Sequence, residues 1–538
     1  MSETSLLLHA SEQDLIDVIE HRRSSIASTP QKISNFTFNN NQLHRRLSID
    51  RCDVSSILSS HTFVNLVETT TAHELHLLVK YSIPLIIAFL LQYSLTVALV
   101  FSVGRLGSSQ LAAISLSTMT ANVSGYAIIQ GVSTCLDTLC AQAYGRRNYN
   151  LVGVHFWQCN YLLLLIYVPI GVLWTCSIQY ILTALIPNEP ELVHYALLYL
   201  KVIAIGLPGF ILFENAKHFL QAQGIFHAAT YVLFVCAPVN ALLNYFLVWD
   251  KTIGMGFVGA PISVAITNWM MCFMIYSYIF FVDGYQCWPL KLLFHVSFFR
   301  NWSKMIDLSI PGVLMVEAEW LAFEIITFTA SKFGTEVLAA QSIINTTCTL
   351  LYQIPFAISI AASTRVAWYI GAAAKRAAKI ASFAAVVLSL TIGIFNAAIV
   401  LTFRRWFASL FTSDASIIEL AAKVLIIVAF YQINDFLSCS TAGILRGQGR
   451  QKIGGYLSLI SYYCIAIPLA GILAFYFQLK LVGLWLGMIF ALFFVSVLQY
   501  YFVATSDWDW IINECLNDGF DDPVDAVPVV PTMSSALV

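Results

Sequence analysis

The sequence predicts an all-α polytopic membrane protein: twelve transmembrane helices in two six-helix bundles, related by a parallel repeat and facing a central cleft. Three observations predict it. First, the 538 residues are 58% hydrophobic and only 11% charged, against about 25% charged in an ordinary soluble domain. Second, residues 1–77 hold 6 Lys/Arg and 9 Asp/Glu, and residues 505–538 hold 7 acids and no base, which leaves a net charge of +8 on residues 78–504. Apolar stretches joined by basic loops mark a chain that crosses a bilayer many times. Third, the two halves of that body repeat one another.

Each span follows from about 20 apolar residues per crossing, cut at polar, Gly or Pro turns. The N-terminal tail, residues 1–77, is too polar and Ser-rich to bury a core and is expected to be a disordered cytoplasmic segment. The first apolar run begins near Leu77 and acts as its own insertion signal, with no cleavable leader before it. The N-lobe, residues 78–282, carries spans at 78–104, 111–143, 151–184, 191–222, 226–249 and 257–282. A polar cytoplasmic connector, residues 283–302, follows. The C-lobe, residues 303–504, carries spans at 303–332, 337–370, 376–411, 416–446, 452–478 and 481–504. Residues 505–538 form an acidic cytoplasmic tail.

The repeat is legible residue by residue. Ser82-Ile83-Pro84 recurs as Ser309-Ile310-Pro311, and Gly107 with Leu111-Ala112-Ala113 recurs as Gly334 with Leu338-Ala339-Ala340, both at a shift of 227. Thr138, Ala141 and Gly145 match Thr364, Ala367 and Gly371 at 226; Leu220, Gln223 and Gly224 match Leu445, Gln448 and Gly449 at 225. Because six is even, both copies enter the membrane from the same side, and the pseudo-twofold axis is normal to the bilayer. The basic residues of alternate loops, Arg146, Arg147, Lys291, Arg300, Lys304, Lys375, Arg376, Arg446, Arg450 and Lys452, outnumber Arg105, Lys251, Lys332, Arg404, Arg405 and Lys480 on the other side. The positive-inside rule therefore places both termini in the cytoplasm.

The same composition excludes other classes. The twelve cysteines stand singly, without ligand spacing, so neither a disulfide framework nor a metal site is indicated. There is no Gly-rich loop ending in Gly-Lys-Ser/Thr to hold ATP. No enzyme, cofactor or nucleic-acid partner is expected. In the tail, Glu3 with Leu7-Leu8 has the form of a sorting signal, and Arg22-Arg23-Ser24-Ser25 and Arg45-Arg46-Leu47-Ser48 that of kinase sites.

Several motifs in order resemble one known family. They are Gly107-Ser108-Ser109-Gln110-Leu111-Ala112-Ala113, Asn122-Val123-Ser124-Gly125, Asp137-Thr138-Leu139 leading to Gln142-Ala143-Tyr144-Gly145, Pro311 leading to Glu319-Trp320 and Phe323-Glu324, and Leu445-Arg446-Gly447-Gln448-Gly449-Arg450-Gln451-Lys452. Over residues 78–504 the chain is similar to the multidrug and toxic compound extrusion transporters, in their fungal-type branch. The resemblance implies a secondary antiporter that exchanges an organic cation for a proton or sodium ion by alternating access, and an acidic functional position at Asp435. Thr346 stands where mammalian members carry a further acid, and Ala367-Trp368 replaces a Gly-Asn pair.

Charged groups inside a bilayer cost several kcal/mol unless they face water or a partner, so each is a functional candidate. The seventh helix carries three. At 100° per residue Glu317 and Glu324 lie about 20° apart, whereas Glu319 points some 140° from Glu324. Glu319 sits about two turns past Pro311, deep enough to serve as the proton-coupling carboxylate; Asp435 and Glu324 join it as coupling candidates. Gln92 stands at the repeat position of Glu319, so the first bundle offers hydrogen bonds from Gln92 and Asn122 while the second carries the proton chemistry. Asn434 neighbours Asp435 and could share its proton or a substrate amine. Trp320 and Tyr352 could stack on a cationic substrate. Asp137 is read as holding a helix end beside Arg146. Glu214, Lys217 and His218, at i, i+3 and i+4, form an internal charge group whose role stays open between structure and function.

The expected protein is a monomer in the vacuolar or plasma membrane that exports drugs or related metabolites against protons. The rival is a flippase for lipid-linked substrates, which should show a cluster of cleft arginines for phosphate. Arg365 is the main deep base.

Overall fold

The computed structural model describes residues 69–185, 189–250, 254–288 and 302–518. Among them the chain is helical and no strand occurs. Eleven helices are long and apolar enough to cross a membrane: α1 Thr71–Gly104, α2 Ser109–Gly145, α3 Tyr149–Ala184, α4 Pro190–Ala222, α5 Ala228–Trp249, α6 Gly256–Phe281, α8 Thr335–Gly371, α9 Lys375–Ser409, α10 Ala415–Gly447, α11 Gln451–Tyr476 and α12 Lys480–Ala504. The twelfth expected span is α7, Ser303–Ser331, 29 residues long. It falls short on composition alone, because Glu317, Glu319 and Glu324 interrupt its apolar run. Prolines inside α1 (Pro84), α4 (Pro208), α7 (Pro311) and α8 (Pro355) remove one backbone donor each, and π-helical turns interrupt α2 at Asn122–Tyr126 and α11 at Ile460–Ala466.

Two boundaries differ from expectation. Helix α1 starts at Thr71, so residues 71–77 belong to the body and not to the N-terminal tail. Thr70 caps it by accepting the His73 backbone N–H at 3.3 Å, and the acid that made the segment look soluble, Glu74, is fully buried against another helix. The C-terminal segment likewise opens with a helix, α13, Trp508–Asp518. The Asp507 carboxylate accepts the Asp509 and Trp510 backbone N–H groups, and Trp508, Ile511, Ile512 and Cys515 on one face join an apolar cluster with Tyr369, Ala377 and Ala381. The tail motifs at Leu7, Arg22 and Arg45 and most of the connector lie outside the described residues.

Residues of α2, α3, α4 and α6, such as Leu136, Phe156, Phe219 and Ile275, make one apolar core; Ile326, Ile344, Tyr431 and Trp485 of α7, α8, α10 and α12 make another. Each six-helix lobe therefore has an interior of its own, and apolar packing also crosses between them: Met305, Leu308 and Trp368 join the first core, while Leu85 and Phe89 of α1 pack on Ala357 and Ile360 of α8. The repeat is visible in the backbone as well. The left-handed residue after α2 is Arg147 (φ +61°) and after α8 Ala373 (φ +57°), while Gly224 (φ +85°) after α4 answers Gly449 (φ +74°) after α10. These pairs stand 226 and 225 residues apart, the register read from the side chains.

Among the described residues, the hydrogen bonds between lobes all lie at the end where α1 begins and α13 docks. Thr138 donates to the Arg446 carbonyl at 2.5 Å, Gln142 to the Gly447 carbonyl at 3.0 Å, Gln451 to Thr138 at 3.1 Å and the Trp368 indole to the Ala222 carbonyl at 2.8 Å. Glycines permit this approach: Gly145 lies on the Trp368 backbone, and its repeat mate Gly371 lies on the Gln142 backbone, where a Cβ would collide.

Candidate transport site

In the C-lobe, α7, α8, α10 and α11 bring together Glu319, Tyr352, Tyr431, Asp435 and Tyr462. The carboxylates of Glu319 and Asp435 are near enough for their charges to interact, and both act on Tyr352, Tyr431 and Tyr462. The Cys439 thiol lies 3.8 Å from Asp435 Oδ1. Among the described residues neither carboxylate forms an ion pair. Tyr462 reaches the group from the π-helical turn of α11, whose wider winding re-aims a residue that α-helical spacing would place elsewhere. Two acids and three aromatic rings can hold a cation by charge and by ring faces, and a proton can be held between the acids.

The arrangement joins Glu319, Asp435 and Tyr352 as expected and leaves other candidates apart. Asn434 turns to α12: its amide donates to the Phe430 carbonyl and it accepts from Ser496 at 3.5 Å, so it does not share a proton with Asp435. Glu317 lies beside Tyr463. Trp320 and Glu324 are half-buried elsewhere on α7. Gln92 and Asn122 are half-buried in the other lobe, on α1 and at the first residue of the α2 π turn. Tyr431 and Tyr462 were missed by sequence reasoning, since nothing in their spacing separates them from packing aromatics.

A second charged group lies between the lobes. His218 Nδ1 is 2.6 Å from Asp137 Oδ1, Lys217 Nζ is 2.5 Å from Glu214 Oε1, and Arg446 Nη1 from the C-lobe stands 3.9 Å from Asp137 Oδ2. All five side chains are buried. Asp137 thus does not hold a helix end beside Arg146; it is engaged by α4 and α10, and Arg146 donates instead to the Cys515 carbonyl of α13 at 3.0 Å. Arg446 also donates to Ser359 at 2.6 Å. Farther along, Arg365 grips Glu74 with Nε at 3.1 Å and Nη2 at 2.7 Å, and Thr69 and Tyr369 each donate to Glu74 Oε1 at 2.6 Å. The deep base of the C-lobe is therefore neutralised by α1.

The MatE family model matches residues 84–246 and again 311–472, once in each lobe. The chain belongs to the MATE family. It is 42% identical over 459 residues to an uncharacterized transporter of Saccharomyces cerevisiae, covering 85% of this chain and 65% of that protein, so it spans just under two thirds of that relative's length. An uncharacterized transporter of Schizosaccharomyces pombe is 40% identical over 449 residues, covering 84% of this chain and 82% of that one. Among solved structures, that of the eukaryotic MATE transporter AtDTX14 matches with a TM-score of 0.77 at 27% identity, over 83% of this chain and 99% of that one. As a MATE protein the chain is a multi-pass membrane transporter and not an enzyme.

Proposed function

We propose that this MATE transporter is a proton-coupled antiporter that exports organic cations, drugs or related metabolites, from the cytosol. The observation that carries the reading is the pair Glu319 and Asp435, grouped with three tyrosines inside the C-lobe and without a bonded base. Two carboxylates at close range favour holding a positive charge between them, either a proton or a substrate amine. Competition for one site is the chemical basis of exchange: substrate leaves as protons arrive, and protons must leave before substrate returns. The flippase reading is less well supported, because the buried arginines it would use for phosphate, Arg365 and Arg446, face Glu74 and Asp137.

The end at which the lobes join carries Arg146, Arg147, Lys304, Lys375, Arg376, Arg450 and Lys452, so we place it, with both termini, in the cytoplasm. The joined state is then outward-facing, with substrate release and proton uptake from the far side. A vacuolar or plasma membrane suits either direction of disposal.

The test is accumulation of a fluorescent organic cation in proteoliposomes under an imposed proton or sodium gradient. Wild type accumulates the cation against a proton gradient, Glu319→Gln does not, and Asp435→Asn loses both accumulation and affinity. Accumulation driven by sodium alone, or undiminished in Glu319→Gln at equal protein content, overturns the assignment.

A further inference from the structure

The lipid-facing side of the N-lobe carries a feature that transport does not use. Helices α4 and α6 touch backbone to backbone where Gly206 meets Ala265 and Gly209 meets Asn268 and Trp269. Beside that crossing lies an open hollow of about 750 Å3, lined by Val202 and Ile205 of α4 and by α6 residues from Ile262 to Ser277. Its few polar groups are already engaged: the Trp269 indole donates to the Ile205 carbonyl at 3.0 Å, and the Ser277 hydroxyl to the Phe273 carbonyl at 2.7 Å. Only an apolar body fits such walls without losing hydrogen bonds.

The mouth of the hollow is different. Lys201 is exposed one turn from Ile205 on the same face of α4, and His194 is exposed on that stripe two turns nearer the helix start. Among the described residues neither side chain forms a hydrogen bond or an ion pair. Helix α4 has 33 residues and is about 50 Å long, some 20 Å more than the hydrocarbon core. With the excess shared between its ends, Lys201 begins about 6 Å inside the hydrocarbon. Helical side chains lean toward the helix start, so the Lys201 stem lies along the apolar face and lifts its ammonium to the phosphate level.

We infer that the α4–α6 hollow binds one anionic glycerophospholipid, with an acyl chain along Ile266, Trp269 and Phe273 and the phosphate on Lys201. A cation at the rim and a wholly apolar interior match the two ends of such a lipid, whereas a zwitterionic lipid gains less at Lys201 and a sterol gains nothing there. The inference requires only that the chain spans a bilayer, so it stands or falls apart from the coupling assignment.

The full-length protein is reconstituted in phosphatidylcholine vesicles containing either brominated phosphatidylglycerol or brominated phosphatidylcholine. Quenching specific to Trp269 is obtained as the difference between wild type and Trp269→Phe. Brominated phosphatidylglycerol is expected to quench at about fivefold lower mole fraction, the equivalent of about 1 kcal/mol for one lysine at a membrane surface. Lys201→Ala abolishes the preference and Lys201→Arg retains it. Native mass spectrometry of the intact protein, with one phosphatidylglycerol retained by wild type and Lys201→Arg but not by Lys201→Ala, checks the result without altering Trp269. Equal quenching by the two lipids, a preference that survives Lys201→Ala, or relief of quenching by a sterol rather than by unlabelled phosphatidylglycerol overturns the inference.

Discussion

Glu74 and Arg365 show how a single buried pair constrains both lobes. Glu74 is on the first turn of α1 and Arg365 near the end of α8, and each is a group that burial penalises unless the other is present. Glu74→Ala should therefore destabilise the folded protein by about 3–5 kcal/mol, because it leaves Arg365 buried without a counter-charge. The double variant Glu74→Leu, Arg365→Met should recover much of that loss, since an apolar pair of similar size needs no desolvation. Thermal unfolding in detergent checks this, and a double variant no more stable than Glu74→Ala would show that charge compensation is not what the pair supplies. Glu319 and Asp435 were legible because an acid within an apolar run is costly wherever the helix points. The partner of Asp137 was not legible, because His218 lies 81 residues away while Arg146 stands next door in sequence and turns elsewhere. Glu74 was misjudged for the same reason: its neutralising partner is 291 residues distant.

Apolar run length located all twelve long helices, α7 among them although its three acids interrupt the run. What it could not find were segments whose burial depends on neighbours: the first turns of α1 and the short amphipathic α13. Helix α13 rests on the C-lobe through Trp508, Ile511 and Ile512, binds Lys375 through Asp509, and receives Arg146 of the N-lobe at the Cys515 carbonyl, where the negative end of the helix dipole favours a cation. It thus spans the seam between the lobes. Burial pushes the Cys515 thiol above its usual range, which keeps the reactive thiolate scarce while the helix is docked. Separation of the lobes should raise maleimide labelling of Cys515, measured against a Cys515→Ser control. Arg146→Gln should do so in the resting protein by several-fold; identical labelling rates would mean that α13 stays seated regardless of Arg146.

The molecule is two six-helix lobes hydrogen-bonded to each other at one end, and the pair of lobes was legible from the repeat, since a parallel duplication implies paired bundles. Which end is closed was not, because it depends on contacts such as Gln142 to Gly447 that cross between copies. A disulfide or short bifunctional cross-link between Thr138→Cys and Gln451→Cys, whose side chains meet across the seam, should form readily and stop transport, while a cationic solute added from the opposite side still binds at Glu319 and Asp435. Free turnover after complete cross-linking would show that this seam need not open. The way the lobes pack has a consequence for biogenesis. Each half carries its own insertion information and most of its own core, and the two meet through apolar contacts and complementary backbone surfaces at Gly145 and Gly371, so their association does not rest on peptide continuity alone. Two polypeptides divided between residues 288 and 302 and expressed in one cell should find each other in the bilayer, co-purify at one-to-one stoichiometry and rebuild a working transporter.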